Sequence, residues 1–79
     1  MQTLKLKYPI DDGGTLITEL KIRRPKVRDQ LSASKLTGSE AEQEVAMFAG
    51  LSDLTPDLIA EMDFADYQAL QKLYTTFLD

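Results

Sequence analysis

The sequence predicts an α+β fold, an N-terminal two-stranded β-hairpin followed by about four α-helices packed as a small bundle. Three observations carry that expectation. Apolar and polar residues alternate with period two over residues 3–8 and again over residues 15–23. A turn-forming Asp-Asp-Gly-Gly segment separates the two runs. From Pro25 onward, apolar residues recur every three or four positions between helix-capping motifs. The 79 residues are read as a single domain, with residues 1–24 forming the hairpin and 25–79 the helical part.

In the first strand, Leu4, Leu6 and Tyr8 share one face, and Thr3, Lys5 and Lys7 the other. Pro9 ends this strand or sits at its edge, because proline has no N–H for a ladder. Asp11, Asp12, Gly13 and Gly14 supply the positive-φ residues of a tight hairpin. The return strand places Leu16, Thr18, Leu20 and Ile22 on one face and Ile17, Glu19, Lys21 and Arg23 on the other. A lone hairpin is marginal in water, so its apolar face needs a helical cover.

Pro25 fits the first turn of a helix, where its missing N–H has no partner to lose. Val27, Leu31 and Ser34 follow on one side, and Gly38 marks the end of this polar first helix. Ser39 and Glu42 form a capping box for the second helix, which carries Ala41, Val45, Phe48 and Ala49 on a stripe and Gly50 near its end. Thr55-Pro56 caps a short third helix through about Met62, with Leu58, Ile59 and Met62 apolar. Asp63 and Asp66 open the last helix, whose apolar stripe is Phe64, Tyr67, Leu70, Leu73, Tyr74, Phe77 and Leu78.

Composition excludes whole classes of function. The chain has no Cys and no His, so a disulfide is impossible, a zinc site is not expected, and the commonest general base and the thiol nucleophile are missing. No catalytic, cofactor-binding or metal-ligating residues are assigned, and no cofactor is expected. The acids of the Asp11/Asp12 pair belong to a turn, and Glu40, Glu42 and Glu44 to a helix start favoured by its dipole. Asp11-Asp12-Gly13-Gly14 has neither the Gly-Lys-Ser/Thr ending of a phosphate loop nor the further ligands of a calcium loop. No apolar run approaches the roughly 20 residues that span a bilayer, and the charged N-terminus is unlike a signal peptide. A soluble intracellular protein is expected, with no membrane partner. A core this small rarely supplies more than about 3–5 kcal/mol unless stapled, which makes a homo-oligomer or another protein partner a reasonable source of further stability.

Charge is divided unevenly. Residues 1–28 carry seven Lys/Arg against Asp11, Asp12 and Glu19, a net of +4, whereas residues 29–79 carry Lys35 and Lys72 against ten acids, a net of −8. Five of the nine basic residues, Lys21, Arg23, Arg24, Lys26 and Arg28, sit where the second strand meets the first helix. They suit an acidic partner, a solvated edge strand that resists edge-to-edge pairing, or phosphates. Nucleic acid is the least favoured of these, since no aromatic residue lies in the segment to stack on bases. The run from Val45 to Pro56 has the cadence of a helix-turn-helix. Its second helix would bring Asp57, Glu61 and Asp63 to a polyanion, so a helical hairpin is the better reading. At the other end of the chain Leu73, Tyr74, Phe77 and Leu78 form either core or a partly exposed apolar ledge, because helix ends are poorly placed for full burial. The basic junction and this apolar group are the candidate partner-binding residues.

Two segments, ITELKIRRPKVRD and GSEAEQEVAMFAGLSDLTPDLIAEMDFADYQAL, resemble the Mu-like, contractile-tailed bacteriophage tail assembly chaperones over roughly residues 16–73. The shared order is a strand, an Arg-Pro-Lys junction, an Ala-rich helix, a Gly-Leu-x-x-Leu-Thr-Pro turn and an Asp-x-x-Asp-Tyr helix start. The resemblance implies a non-catalytic protein of the host bacterial cytoplasm, absent from the mature virion. It would bind the long helical tape measure protein, with the tail tube protein as a second candidate partner. It also implies that a frameshifted, longer product can share this N-terminal part. No site residue carries over from the family. A helix-turn-helix-like nucleic-acid-binding regulator and a structural tail or baseplate subunit are the alternative readings.

Overall fold

Gly13 and Gly14 both adopt positive φ, 60° and 97°, as a two-residue hairpin turn of the primed type requires. The Gly14 N–H also donates to Asp11 Oδ1 at 2.8 Å. This turn joins β1 (Gln2–Asp12) to β2 (Thr15–Ile22) in an antiparallel two-stranded sheet. Four helices follow, α1 (Val27–Ser34), α2 (Glu40–Ser52), α3 (Pro56–Ala60) and α4 (Phe64–Thr76). The computed structural model describes residues 1–78 and has the expected α+β architecture.

The hairpin departs from simple alternation in one place. Lys5 pairs with Glu19 and Ile10 with Ile17, so Leu6, Lys7, Tyr8 and Pro9 face Thr18 alone. This bulge lets β1 continue through Pro9, which the sequence reading placed at the strand's end or edge. On β1 the inward positions keep their parity, and Leu6 and Ile10 are both buried. On β2 the parity flips: Leu20 and Ile22 are buried as expected, but nearer the turn Ile17 packs on the core while Leu16 is exposed. Tyr8, expected on the apolar face, is also exposed because it belongs to the bulge.

The core lies between this sheet and the helices. Leu6, Ile10, Leu20 and Ile22 meet Phe48, Ala49 and Leu51 of α2, Ile59 of α3, Leu70 of α4 and Phe77 just beyond it. Phe48 stands edge-on to two tyrosines, with centroids 5.7 Å from Tyr67 and 5.5 Å from Tyr74, the geometry that aligns ring edges with ring faces.

The caps explain where the helices begin. Ser39 Oγ accepts the Glu42 N–H at 3.1 Å while Glu42 Oε1 accepts the Ser39 N–H at 3.2 Å, the expected capping box. Thr55 Oγ1 accepts from the Leu58 N–H at 3.3 Å, and Asp63 Oδ2 from the Ala65 N–H at 3.0 Å. α2 runs past Gly50 to Ser52 and stops at Asp53, which takes the left-handed conformation (φ 58°) and donates its N–H to the Ala49 carbonyl. α1 starts at Val27, after Pro25 rather than with it. Lysine at the N-cap cannot accept a hydrogen bond, so the box there is one-sided: the Lys26 N–H donates to Asp29 Oδ2 at 2.7 Å.

Candidate functional site

The basic junction is built around one ion pair. Arg23, just beyond the end of β2, donates from Nη1 to Asp29 Oδ2 at 2.9 Å and from Nη2 to Asp29 Oδ1. The same carboxylate caps α1, so a single side chain ties the helix start to the strand end. Its pKa is pushed down to about 2, chiefly by the hydrogen bonds from Arg23, then by the Lys26 N–H and the charges of Arg23 and Arg28, against the opposing effect of partial burial. Arg23 responds in the opposite sense, its pKa raised by the hydrogen bond to Asp29. The Arg23 N–H also donates to the Leu51 carbonyl at 3.1 Å, joining the strand's exit to α2. Lys21, Arg24, Lys26 and Arg28 remain exposed and make no ion pair among the described residues. Arg23 is thus spent on structure, and four of the five junction cations face solvent.

The apolar group at the C-terminal end divides in three. Phe77 is 7% exposed and belongs to the core, so of the two readings, core and ledge, it takes the first and is corrected as a partner contact. Leu73 and Tyr74 are partly buried against that core, and Leu78 is 65% exposed. Tyr74 also lines a cleft with Gln30 and Ser34 of α1 and Glu44 and Met47 of α2. Above it Glu44 Oε1 accepts from Tyr67 Oη at 2.7 Å and from Gln71 Nε2 at 2.8 Å. Burial first, and then this hydrogen bond to a carboxylate, raise the Tyr67 pKa beyond the ordinary tyrosine range.

Two features were missed by sequence reasoning. The first is the outer face of α1. Val27 and Leu31, read only as sharing one side of a polar helix, are 77% and 55% exposed, while Ala33 is the residue α1 buries. At 100° per residue Val27 and Leu31 lie together on the side roughly opposite Ala33. The signal was present in the cations along one side of the pair, Arg28 and Lys35, which have no place in a core. The second is Asp66, 3% exposed at the start of α4, where it accepts the backbone N–H groups of Lys7 and Tyr8 at 3.0 Å each. This is the anchor of the β1 bulge.

Among the described residues no group of three or more acidic, His or Cys side chains is arranged to hold a metal ion, and no helix is long and apolar enough to cross a membrane. Exposed cations, a short exposed apolar face and acidic helix starts are features that suit recognition of another macromolecule. Residues 3–79 match the family model described as phage tail assembly chaperone proteins, E, or 41 or 14. No curated protein and no solved structure matches the chain.

Proposed function

The chain belongs to the phage tail assembly chaperone family, and from that premise we propose that it binds the tape measure protein and assists assembly of the tail tube around it. The match over residues 3–79 is the observation that carries this reading. The role is non-catalytic: the protein keeps a long amphipathic helical client from aggregating and releases it as tube subunits polymerise. The order of the strand, the Arg-Pro-Lys junction, the Gly-Leu-x-x-Leu-Thr-Pro turn and the Asp-x-x-Asp-Tyr helix start supports the Mu-like, contractile-tailed branch. It acts in the host cytoplasm and leaves before the virion is complete, with the tail tube protein as a second partner and self-association as a further one.

Reversible holding of an amphipathic client calls for a modest apolar contact with a charged border, because a large dry interface would not let go. Lys21, Arg24, Lys26 and Arg28 supply the cationic border, with Arg23 fixing its geometry. Leu73, Tyr74 and Leu78 are the apolar contacts proposed at the other end, and Phe77 supports them from the core. Co-expression with the neighbouring tape measure gene product, followed by size-exclusion chromatography with light scattering, tests the role. Co-elution with a client that is insoluble alone supports it; a soluble client that ignores this chain sinks it.

A further inference from the structure

We infer that the outward face of α1, Val27 and Leu31 bordered by Arg28 and Lys35, is the docking face for an acidic amphipathic helix of the client. The inference rests on the chaperone reading and says where, and by what chemistry, the client is held.

Four observations converge on this face. Val27 and Leu31 are large, apolar and exposed, at the i, i+4 spacing that makes a continuous ridge on a helix. Such a ridge seats in the groove between side chains of another helix, so the spacing favours a helix over an extended strand as occupant. Arg28 and Lys35 run along one side of the ridge, and Arg24 and Lys26 lie at its N-terminal end, all exposed. Asp29, the one acid on α1, is engaged by Arg23 and the Lys26 N–H and forms no ion pair with any of these four. The excess positive charge therefore selects an occupant with acidic flanks.

The Arg23–Asp29 pair gives the face its direction. It fixes the start of α1 against the strand end, with Ala33 turned toward α2, and so holds the ridge outward before any partner arrives. Preorganisation of this kind lowers the ordering cost of docking. At eight residues, or about 12 Å, α1 offers a small contact whose affinity stays reversible.

Other occupants fit less well. Symmetric pairing of α1 with a second copy would oppose like charges. A membrane surface asks for more apolar area than two side chains provide. For nucleic acid, an apolar ridge would displace the stacking or hydrogen-bonding groups that read bases. The remaining homotypic arrangement would seat α1 of one copy in the shallow groove of Leu36, Val45, Ala46 and Ala60, edged by Glu42 and Asp57, on the next.

The test uses the full chain and two synthetic amphipathic helices of about four heptads, identical but for Glu or Lys flanking the leucine face. Fluorescence anisotropy should show binding of the Glu-flanked peptide and weaker binding of the Lys-flanked one. Val27→Asp with Leu31→Asp should weaken binding at least about tenfold, and Arg28→Glu with Lys35→Glu should reverse the preference between peptides. Both variants alter exposed positions, and unchanged circular dichroism checks that they fold. Co-expression with the tape measure protein separates the levels of the claim. If the wild type solubilises that client and both double variants do so equally well, the docking face is wrong while the chaperone reading stands. If the wild type itself retains no client, the reading falls and this inference falls with it. Binding of 3:1 phosphatidylcholine–phosphatidylglycerol vesicles or of DNA in place of the peptide overturns the assignment, as does self-association abolished by Leu31→Asp without peptide binding.

Discussion

Asp66 accepts the backbone N–H of Tyr8 at 3.0 Å across 58 positions of sequence. The neighbouring N–H of Lys7 meets the other oxygen of the same carboxylate. A bulge leaves strand N–H groups without ladder partners, and the first turn of α4 provides the acceptor. The helix start and the strand irregularity thus make one structural unit, which holds α4 on β1.

Replacing Asp66 by Ala should destabilise the protein by about 2 kcal/mol, because two donors lose a charged acceptor in a largely desolvated position. For a domain of this size that corresponds to a fall in Tm of about 8–16 °C. Asp66→Asn, which retains one acceptor oxygen, should lie between wild type and Ala. Urea denaturation of the three proteins checks the order, and equal midpoints would show that water replaces the carboxylate without cost.

The Arg23–Asp29 pair predicts a pH dependence with a definite sign. The Asp29 pKa falls from an ordinary 3.8 to about 2 on folding. A depressed carboxylate contributes stability that is complete above its unfolded pKa and is lost as pH falls through the folded one. The gap in Tm between wild type and Asp29→Asn should therefore be constant from pH 7 to about pH 4, then shrink and nearly vanish by pH 2. Arg23 is 35% exposed on its side chain, so solvent screening keeps the gap small, about 1 kcal/mol or less. A gap that persists unchanged in acid would assign the effect of the substitution to something other than the charge.

The larger outline was legible because local chemistry and tertiary structure agree there. Asp11 to Gly14 had to turn, Ser39 and Glu42 had to start a helix, and Leu20, Ile22, Phe48 and Leu70 had to be inside. The misreadings share a cause: periodicity gives a face but not which way it points. The bulge opposite Thr18 exchanged Leu16 for Ile17, and nothing in a single strand announces a register break. Val27 and Leu31 have core spacing, yet the ion pair made by Asp29 sets α1 the other way round. Asp66 read as a helix-dipole acid because its partners are backbone groups 58 and 59 positions away.

Gly50 offers a prediction in the stabilising direction. It lies inside α2, is exposed, and a Cβ placed there meets no atom within 4 Å. Gly50→Ala removes conformational freedom from the unfolded chain and adds helix propensity, so it should raise stability by about 0.5–1 kcal/mol. Three residues on, Asp53 holds a left-handed φ of 58°, and Asp53→Gly should add a similar, smaller gain. Thermal melts of the single and double variants measure both; a fall in Tm for Gly50→Ala would mean that α2 is strained at this point.

Phe77 and Leu78 are adjacent in sequence and opposite in environment, which makes them a direct test of how the chain ends. Phe77 is 7% exposed within the core cluster, and Leu78 is 65% exposed. Truncating a buried aromatic removes its transfer free energy and leaves a cavity, so Phe77→Ala should cost about 3 kcal/mol. That is most of what a core of this size supplies, and Phe77→Asp should unfold the protein. Leu78→Ala should change stability by less than about 0.5 kcal/mol, and Leu78→Asp should leave the circular dichroism spectrum intact. Client retention in co-expression then becomes interpretable at this end of the molecule: loss of retention with Leu78→Asp on an intact fold marks a contact, whereas loss with Phe77→Asp reports only unfolding. If Phe77→Asp instead folds normally, the ring is not part of the core and the end of α4 presents the wider apolar ledge after all.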